Sequence, residues 1–314
     1  MSQSYSFLFG PVRSRRLGRS LGIDLVPLKV CSWDCPYCQV GATTEKTVIR
    51  RDYVPVVGVM AEFDRWMLED GQADCVTLAG GGEPTLHSHF GEILDAIGTR
   101  SKFRRILLSN GSLFALPDVR DAARKADVVK ATLSAWDQAS FEALHRPHAS
   151  LKFDLFLDGL KAMRFGFKGE YWLEVFVVPG VNDTPEQMAR IASMAAEIVP
   201  DRIHLNTAVR PACDGETQPV SVVALQNLAG LFSPVAEVIC GSTEGASFEA
   251  VPPPSAVPVE RILGLIQRHP SRACDIMITF TLAEADVQAA LSELLKRGSV
   301  RREHRGDADF YCAV

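Results

Sequence analysis

Val30-Cys31-Ser32-Trp33-Asp34-Cys35-Pro36-Tyr37-Cys38 follows directly on an apolar run, 21–28, that reads as a strand. It sets three of the eight cysteines in a C-x3-C-x2-C spacing. A zinc site usually takes four ligands from two paired elements. No second pair exists, because Cys75, Cys213, Cys240, Cys274 and Cys312 are scattered singly. Three thiolates on one tight loop instead suit a cubane [4Fe–4S] cluster, with one iron left without a protein ligand. The alternative is three reduced cysteines packed as small hydrophobes. Cys75, Cys240, Cys274 and Cys312 are read as packing residues of that kind, and Cys213 as a spectator, a quenching thiol or an extra ligand.

Outward from this loop the chain alternates between short β-branched runs and helical periods. Strands are expected at 21–28, 75–79, 105–108, 128–133, 172–178 and 202–206, and helices at 56–69, 90–98, 116–125, 153–165 and 185–198. Thr184, Pro185 and Gln187 form a cap, a first helical proline and a capping box. Six strands alternating with helices imply parallel βαβ units. A full eight-stranded barrel takes about 250 residues, so the expectation is a (βα)6 partial TIM-type barrel, open on one side. A further helix is expected at 218–232 and a strand at 235–240. Residues 245–258 contain Pro252, Pro253 and Pro254 and read as a stiff linker. Beyond it, helices at 259–269, 274–280 and 281–296, the last opened by Thr281 and Glu284 and apolar along Val287, Leu291, Leu294 and Leu295, precede a hairpin at 298–312. That outline is a winged-helix domain. The organisation expected is therefore α/β, with a barrel over 1–244, the linker at 245–258 and a winged helix over 259–314.

The 314 residues are 47% hydrophobic and 23% charged with a net charge of −5, which excludes disorder and gives no global pull toward nucleic acid or membrane. No run reaches the roughly 18 apolar residues of a membrane span, and the first residues lack a signal-peptide pattern. A cytoplasmic location without a membrane partner is the expectation. In that compartment eight thiols are not a disulfide framework.

The spacing of Cys31, Cys35 and Cys38, with Tyr37 just before the third, resembles the signature of the radical S-adenosylmethionine (SAM) superfamily. The resemblance implies that each of these cysteines ligates one iron and that SAM chelates the fourth through its amino and carboxylate groups. Tyr37 would lie beside the adenine, and one electron from the reduced cluster would cleave SAM to methionine and a 5′-deoxyadenosyl radical. A low-potential electron donor of the flavodoxin or ferredoxin type is implied as partner. After the second strand, Gly80-Gly81-Gly82-Glu83-Pro84 is similar to the family's Gly-Gly-Glu motif, in which Gly81, Gly82 and Glu83 would hold the methionine amino group; a tight turn is the plainer reading. Ser109 and Asn110 after strand three and Ser134 after strand four occupy places that in the superfamily supply polar contacts to the SAM ribose or carboxylate; ordinary turn capping is the plainer reading. Asn182 is a turn residue or a contact. Arg210, on the open face after strand six, is a bidentate donor to the SAM carboxylate or a substrate phosphate, or else a surface ion pair.

Together with residues 10–24, His145-Arg146-Pro147 and 178–183, these motifs resemble an uncharacterised radical SAM group described as wyosine-synthase-related. RNA is then the leading substrate class, with Arg13, Arg15, Arg16 and Arg19 as phosphate-binding candidates or as structural ion pairs. Glu284, Asp286 and Glu293 on the third C-terminal helix disfavour sequence-specific DNA reading. Lys296, Arg297, Arg301, Arg302 and Arg305 form a basic wing suited to RNA backbone. Protein, peptide or metabolite substrates are the enzymatic alternative. A non-catalytic iron–sulfur sensor with a winged helix is the alternative of another class, against which Glu83 and its glycines count.

Overall fold

The computed structural model describes residues 5–14, 16–239, 257–306 and 308–314. Arg15, Cys240 and the linker prolines Pro252, Pro253 and Pro254 lie outside them. An antiparallel hairpin of β1 (Leu8–Ser14) and β2 (Gly18–Ile23) leads to β3 (Val30–Cys31) and β4 (Glu45–Lys46), a short parallel pair at the cysteine loop. There follow α1 (Val56–Glu69), β5 (Cys75–Leu78), α2 (Phe90–Arg100), β6 (Arg104–Leu108), α3 (Pro117–Ala123) and β7 (Val128–Thr132). Two helices, α4 (Gln138–His145) and α5 (Phe153–Arg164), separate β7 from β8 (Glu170–Val177), and α6 (Pro185–Ile198) separates β8 from β9 (Arg202–Thr207). After α7 (Val222–Ala229) comes a two-residue β10 (Glu237–Val238).

The main sheet runs β1-β2-β5-β6-β7-β8-β9-β10, parallel throughout except for β1 against β2. The six expected strands are its centre. The first of them is shorter than its apolar run, because at Asp24 the chain leaves the sheet and Pro27 has no N–H to donate. The unexpected β1 is interrupted by a register shift between Phe9 and Val12, around Gly10-Pro11, and ends in the polar pair Arg13 and Ser14. The helix expected at 218–232 is confined to α7, capped by Ser221, whose side chain accepts from Ala224 N. α6 begins as expected: Thr184 accepts from Gln187 N and Gln187 Oε1 accepts from Thr184 N at 3.1 Å.

Alternation along the strands sorts their side chains into two sets. Val129, Ala131, Leu173, Val175 and Val177 join the core formed with Phe63, Phe90, Phe156, Met163 and Ile191 of the helices. On the inner side, Cys75, Ile106, Val128 and Trp172 make a small apolar plug. The next inward positions are Thr77, Leu108, Lys130, Glu174 and Asn206, which line a cavity of about 420 Å3. The barrel interior therefore carries polar and charged groups above an apolar plug.

The last segment comprises α8 (Val259–Arg268), α9 (Ala273–Phe280), α10 (Glu284–Lys296) and a hairpin of β11 (Val300–Arg305) and β12 (Ala308–Ala313). Ile262, Ile266, Ile276, Phe280, Val287, Leu291 and Leu294 form its core, and Val12 of β1 packs against it. The expected capping box at Thr281 does not form: Thr281 is the left-handed C-cap of α9 (φ 54°), and Ala283 precedes α10. Leu295 stays exposed and Ala290 takes its place inside. Cys75 and Cys312 are buried as read, whereas Cys274 is exposed. Among the described residues no helix is long and apolar enough to cross a membrane.

Candidate active site

Cys31, Cys35 and Cys38 are all free thiols at the end of β2 and β3, and each sulfur has a nitrogen near it. Lys29 Nζ donates to Cys38 Sγ at 3.2 Å, Asn110 Nδ2 lies 3.7 Å from Cys31 Sγ, and His145 Nδ1 lies 3.6 Å from Cys35 Sγ. Lys29 sits at φ 65°, a left-handed conformation that a lysine adopts at a cost. Burial works against its ammonium, yet the thiols, Cys38 foremost, hold its pKa above the ordinary value. Burial pushes Cys31 up to about 12, with the charge of Glu83 adding to it, and puts Cys35 well above the usual thiol range. Iron must therefore displace protons from these sulfurs.

The loop is held from several sides. Asp34 N donates to His145 O and His148 N to Ser32 O, while Cys213 N and Asp214 N donate to Cys38 O and Pro36 O. Cys213 thus meets the cluster loop through its backbone. His145, at the end of α4, is buried and stacks on Trp33 at 4.1 Å. Burial lowers it to about 3, so its imidazole is neutral. Its Nδ1 also lies 2.8 Å from the Tyr37 hydroxyl, and the Tyr37 ring stacks on Phe176 at 4.1 Å.

The glycine turn packs on the same loop. Lys29 N donates to Gly81 O at 2.6 Å and Glu83 N to Val30 O at 3.1 Å. A Cβ on Gly82 would overlap the Val30 carbonyl oxygen, and Gly80 has φ 122°, so close approach and backbone conformation both require glycine here. The Glu83 carboxylate is buried. Its Oε1 accepts from Thr85 N, Thr85 Oγ1 and Ser109 Oγ, and its Oε2 accepts from Asn110 N at 2.7 Å. Burial raises its pKa against those four donors. Ser109 and Asn110 thus meet Glu83, and Asn110 Nδ2 also donates to Ser32 Oγ at 2.8 Å. Ser134 is turned elsewhere: its hydroxyl accepts from Phe176 N at 2.8 Å, and Asn182 Nδ2 bonds the carbonyls of Ser134 and Phe176.

Tyr37, Cys38, Gly80, Gly82 and Arg210 line the mouth of the barrel cavity, while Gly81 faces Leu28 and Asp24. The C-terminal segment reaches the same mouth. Arg268 and His269 line it, Gln39 Nε2 lies 3.3 Å from His269 Nδ1, and Arg268 pairs with Asp24, whose Oδ1 accepts from Gly81 N at 2.7 Å. Arg305 donates to the carbonyls of Arg210 and Thr217, so this wing arginine is committed to the barrel. Arg16 likewise turns inward to Glu174 at 2.9 Å and is not a surface phosphate ligand.

Sequence reasoning missed Lys29, Asp24, Lys130 and Glu174. For the last two a signal exists: a charged residue flanked by apolar ones in the middle of each strand, at an inward position. The donor set fits an iron–sulfur cluster, with three thiols on one loop, each near a nitrogen of the kind that tunes cluster sulfurs. Among the described residues no three His, Cys, Asp or Glu groups converge as a single metal ion requires, whereas a cubane takes each sulfur on a separate iron.

Comparisons with known proteins identify the family and the fold. The family model of the radical SAM superfamily matches residues 25–192. A Brachyspira hyodysenteriae protein described as GTPase Obg is 32% identical over 299 residues, 94% of this chain but 43% of that protein, so the chain spans less than half of that relative. A UPF0026 protein of Methanocaldococcus jannaschii is 30% identical over 270 residues, 84% of this chain and 83% of its own length. A structure of TYW1 with a lysine-pyruvate adduct bound shares the fold, with a TM-score of 0.55 at 16% identity over 69% of this chain and 74% of that one. The chain belongs to the radical SAM superfamily, as an enzyme whose cofactors are a [4Fe–4S] cluster and S-adenosylmethionine.

Proposed function

We propose that the protein cleaves SAM reductively at the cysteine loop and uses the outcome to modify RNA, tRNA above all. The observation that carries the cleavage site is the packing of the glycine turn on the loop of three free thiols, with Tyr37, Cys38, Gly80 and Gly82 lining the barrel cavity. In this reading Cys31, Cys35 and Cys38 hold the cluster, which when bound supplies the single electron that breaks a SAM carbon–sulfur bond to give methionine and a 5′-deoxyadenosyl radical. A flavodoxin- or ferredoxin-type protein delivers that electron. Glu83 organises the turn by tying Thr85, Ser109 and Asn110 together, and its Oε2, with one donor, keeps an acceptor position for the SAM ammonium. Tyr37 offers an aromatic edge beside the adenine, and Arg210 a guanidinium at the mouth. Asn110 and Lys29 donate toward cluster sulfurs, and the neutral His145 fixes the Tyr37 hydroxyl.

The segment from 259 is proposed as a winged helix, after the barrel at 1–244 and the linker at 245–258. Three helices and a hairpin support it, as does the bridge between Ser271 and Tyr311. The exposed side chains of Arg301 and Arg302 support contact with RNA backbone, whereas Glu284, Asp286 and Glu293 line the exposed side of α10 and repel phosphate. Comparing modified nucleosides in total RNA from wild-type and deletion strains tests the substrate. Loss of one modification, restored by the wild-type gene and not by a Cys35→Ala copy, is the expected result. Identical nucleoside profiles would remove RNA as the substrate.

A further inference from the structure

Two cations share one carboxylate at the floor of the barrel cavity. Lys130 Nζ and Arg16 Nη1 lie 2.8 and 2.9 Å from the same oxygen of Glu174, Oε1, and Asn206 Nδ2 donates to it at 3.3 Å. Among the described residues Glu174 Oε2 receives no hydrogen bond, and Lys130 uses one of its three donors. The side chains are largely enclosed, with 10% exposure for Lys130, 15% for Glu174 and 20% for Arg16. The group therefore carries one positive charge in excess, and Arg13 lines the same cavity. An excess charge withdrawn from water is costly unless a counter-charge meets it. Burial accordingly lowers the Lys130 amine to about 8, with Arg16 adding to the effect and Glu174 opposing it.

We propose that this floor binds a small anionic ligand, carrying a carboxylate or phosphate, through Lys130 and Arg16, with Glu174 setting their geometry. The ligand is distinct from SAM. SAM has an ammonium and a sulfonium against one carboxylate, so its net charge is positive and this floor repels it. It is also distinct from an RNA chain, because about 420 Å3 between strands admits a small molecule and not a polymer. Tyr37 and Cys38 line the upper part of the same cavity, so a ligand anchored on the floor points toward the cysteine loop. The inference builds on the SAM-cleavage reading for that orientation, while the binding itself stands on the charge group alone.

The test is calorimetric titration of the reconstituted enzyme, at low ionic strength and with SAM present, against inorganic phosphate and separately against acetate. Wild-type protein should bind at least one of them, and which one separates the two ligand chemistries. Lys130→Met leaves Glu174 and Arg16 as a balanced pair, so the fold survives, and binding should weaken roughly tenfold or more for the missing charge-assisted hydrogen bond. Read at pH 6, to keep the Lys130 amine protonated without the opposing Glu174 charge, Glu174→Gln raises the excess charge and should tighten binding, whereas a merely structural role would make both variants bind worse. Arg100→Ala, on the exposed end of α2, should bind as wild type does. The proposal is overturned if neither anion binds wild-type protein, if Lys130→Met binds unchanged, or if Glu174→Gln loses binding as Lys130→Met does. Competition by a short RNA that depends on Lys130 would also overturn it, in favour of the polymer. Iron content and uncoupled SAM cleavage, read on the same preparation, report separately on the cofactor reading.

Discussion

Arg268→Ala breaks the ion pair by which the C-terminal segment reaches the glycine turn. Side-chain exposure is 15% for Arg268 and 8% for Asp24, so the substitution strands a buried carboxylate. Removing one partner of a buried pair costs about 3–5 kcal/mol, and the lower end applies here because Asp24 keeps the hydrogen bond from Gly81 N. Burial already raises the Asp24 pKa, with Arg268 as the main opposing influence. A carboxyl raised above its unfolded value binds its proton more tightly when folded, so the deficit of the variant should shrink as pH falls toward that raised value. Equilibrium urea denaturation at two pH values measures this, and Asp24→Asn combined with Arg268→Met should recover most of the loss. Because Asp24 also holds Gly81, SAM affinity in Arg268→Ala should fall while iron content is unchanged. A variant within about 0.5 kcal/mol of wild type, the range of ordinary surface substitutions, with unaltered SAM affinity, would refute the coupling.

Gly82→Ala should impair cluster loading, since the added methyl meets the Val30 carbonyl just before Cys31; iron analysis after reconstitution reads it, and full loading counts against the tight turn. Glu83→Gln should weaken SAM binding by roughly tenfold with the cluster intact. Glu83→Ala should in addition lower stability by about 1–3 kcal/mol, because donors of Thr85, Ser109 and Asn110 lose their acceptor. If RNA is the substrate, Arg301→Ala with Arg302→Ala should weaken RNA binding and reduce its salt slope by roughly 0.7–0.9 for each phosphate no longer neutralised. Equal affinity and slope would remove the hairpin from RNA capture.

The central strands and the helices around them are legible in the sequence because their apolar residues recur with the periods of half-buried elements, as at 172–178 and 185–198. The strand β1 escapes that reading: Gly10-Pro11 interrupts it, and its second half, Val12 to Ser14, lines the barrel cavity. Thr281 and Glu284 have the spacing of a capping box, but the left-handed turn ending α9 takes Thr281 instead. The cysteine spacing and the glycine turn are local patterns and can be read directly. The Asp24–Arg268 pair and the Arg16–Glu174–Lys130 group join positions far apart in the chain, and only the packing of α8 on β1 and the curvature of the sheet bring them together.

The most direct measurement is SAM cleavage by anaerobically reconstituted, dithionite-reduced protein. Wild type should hold about four iron per chain, as one [4Fe–4S] cluster requires, and should release 5′-deoxyadenosine even without substrate. Cys31→Ala, Cys35→Ala and Cys38→Ala should each lose both properties, while Cys274→Ala, exposed on α9, keeps them. Tetrahedral zinc in place of iron, or a fully loaded and reduced cluster that neither binds nor cleaves SAM, would contradict the reading.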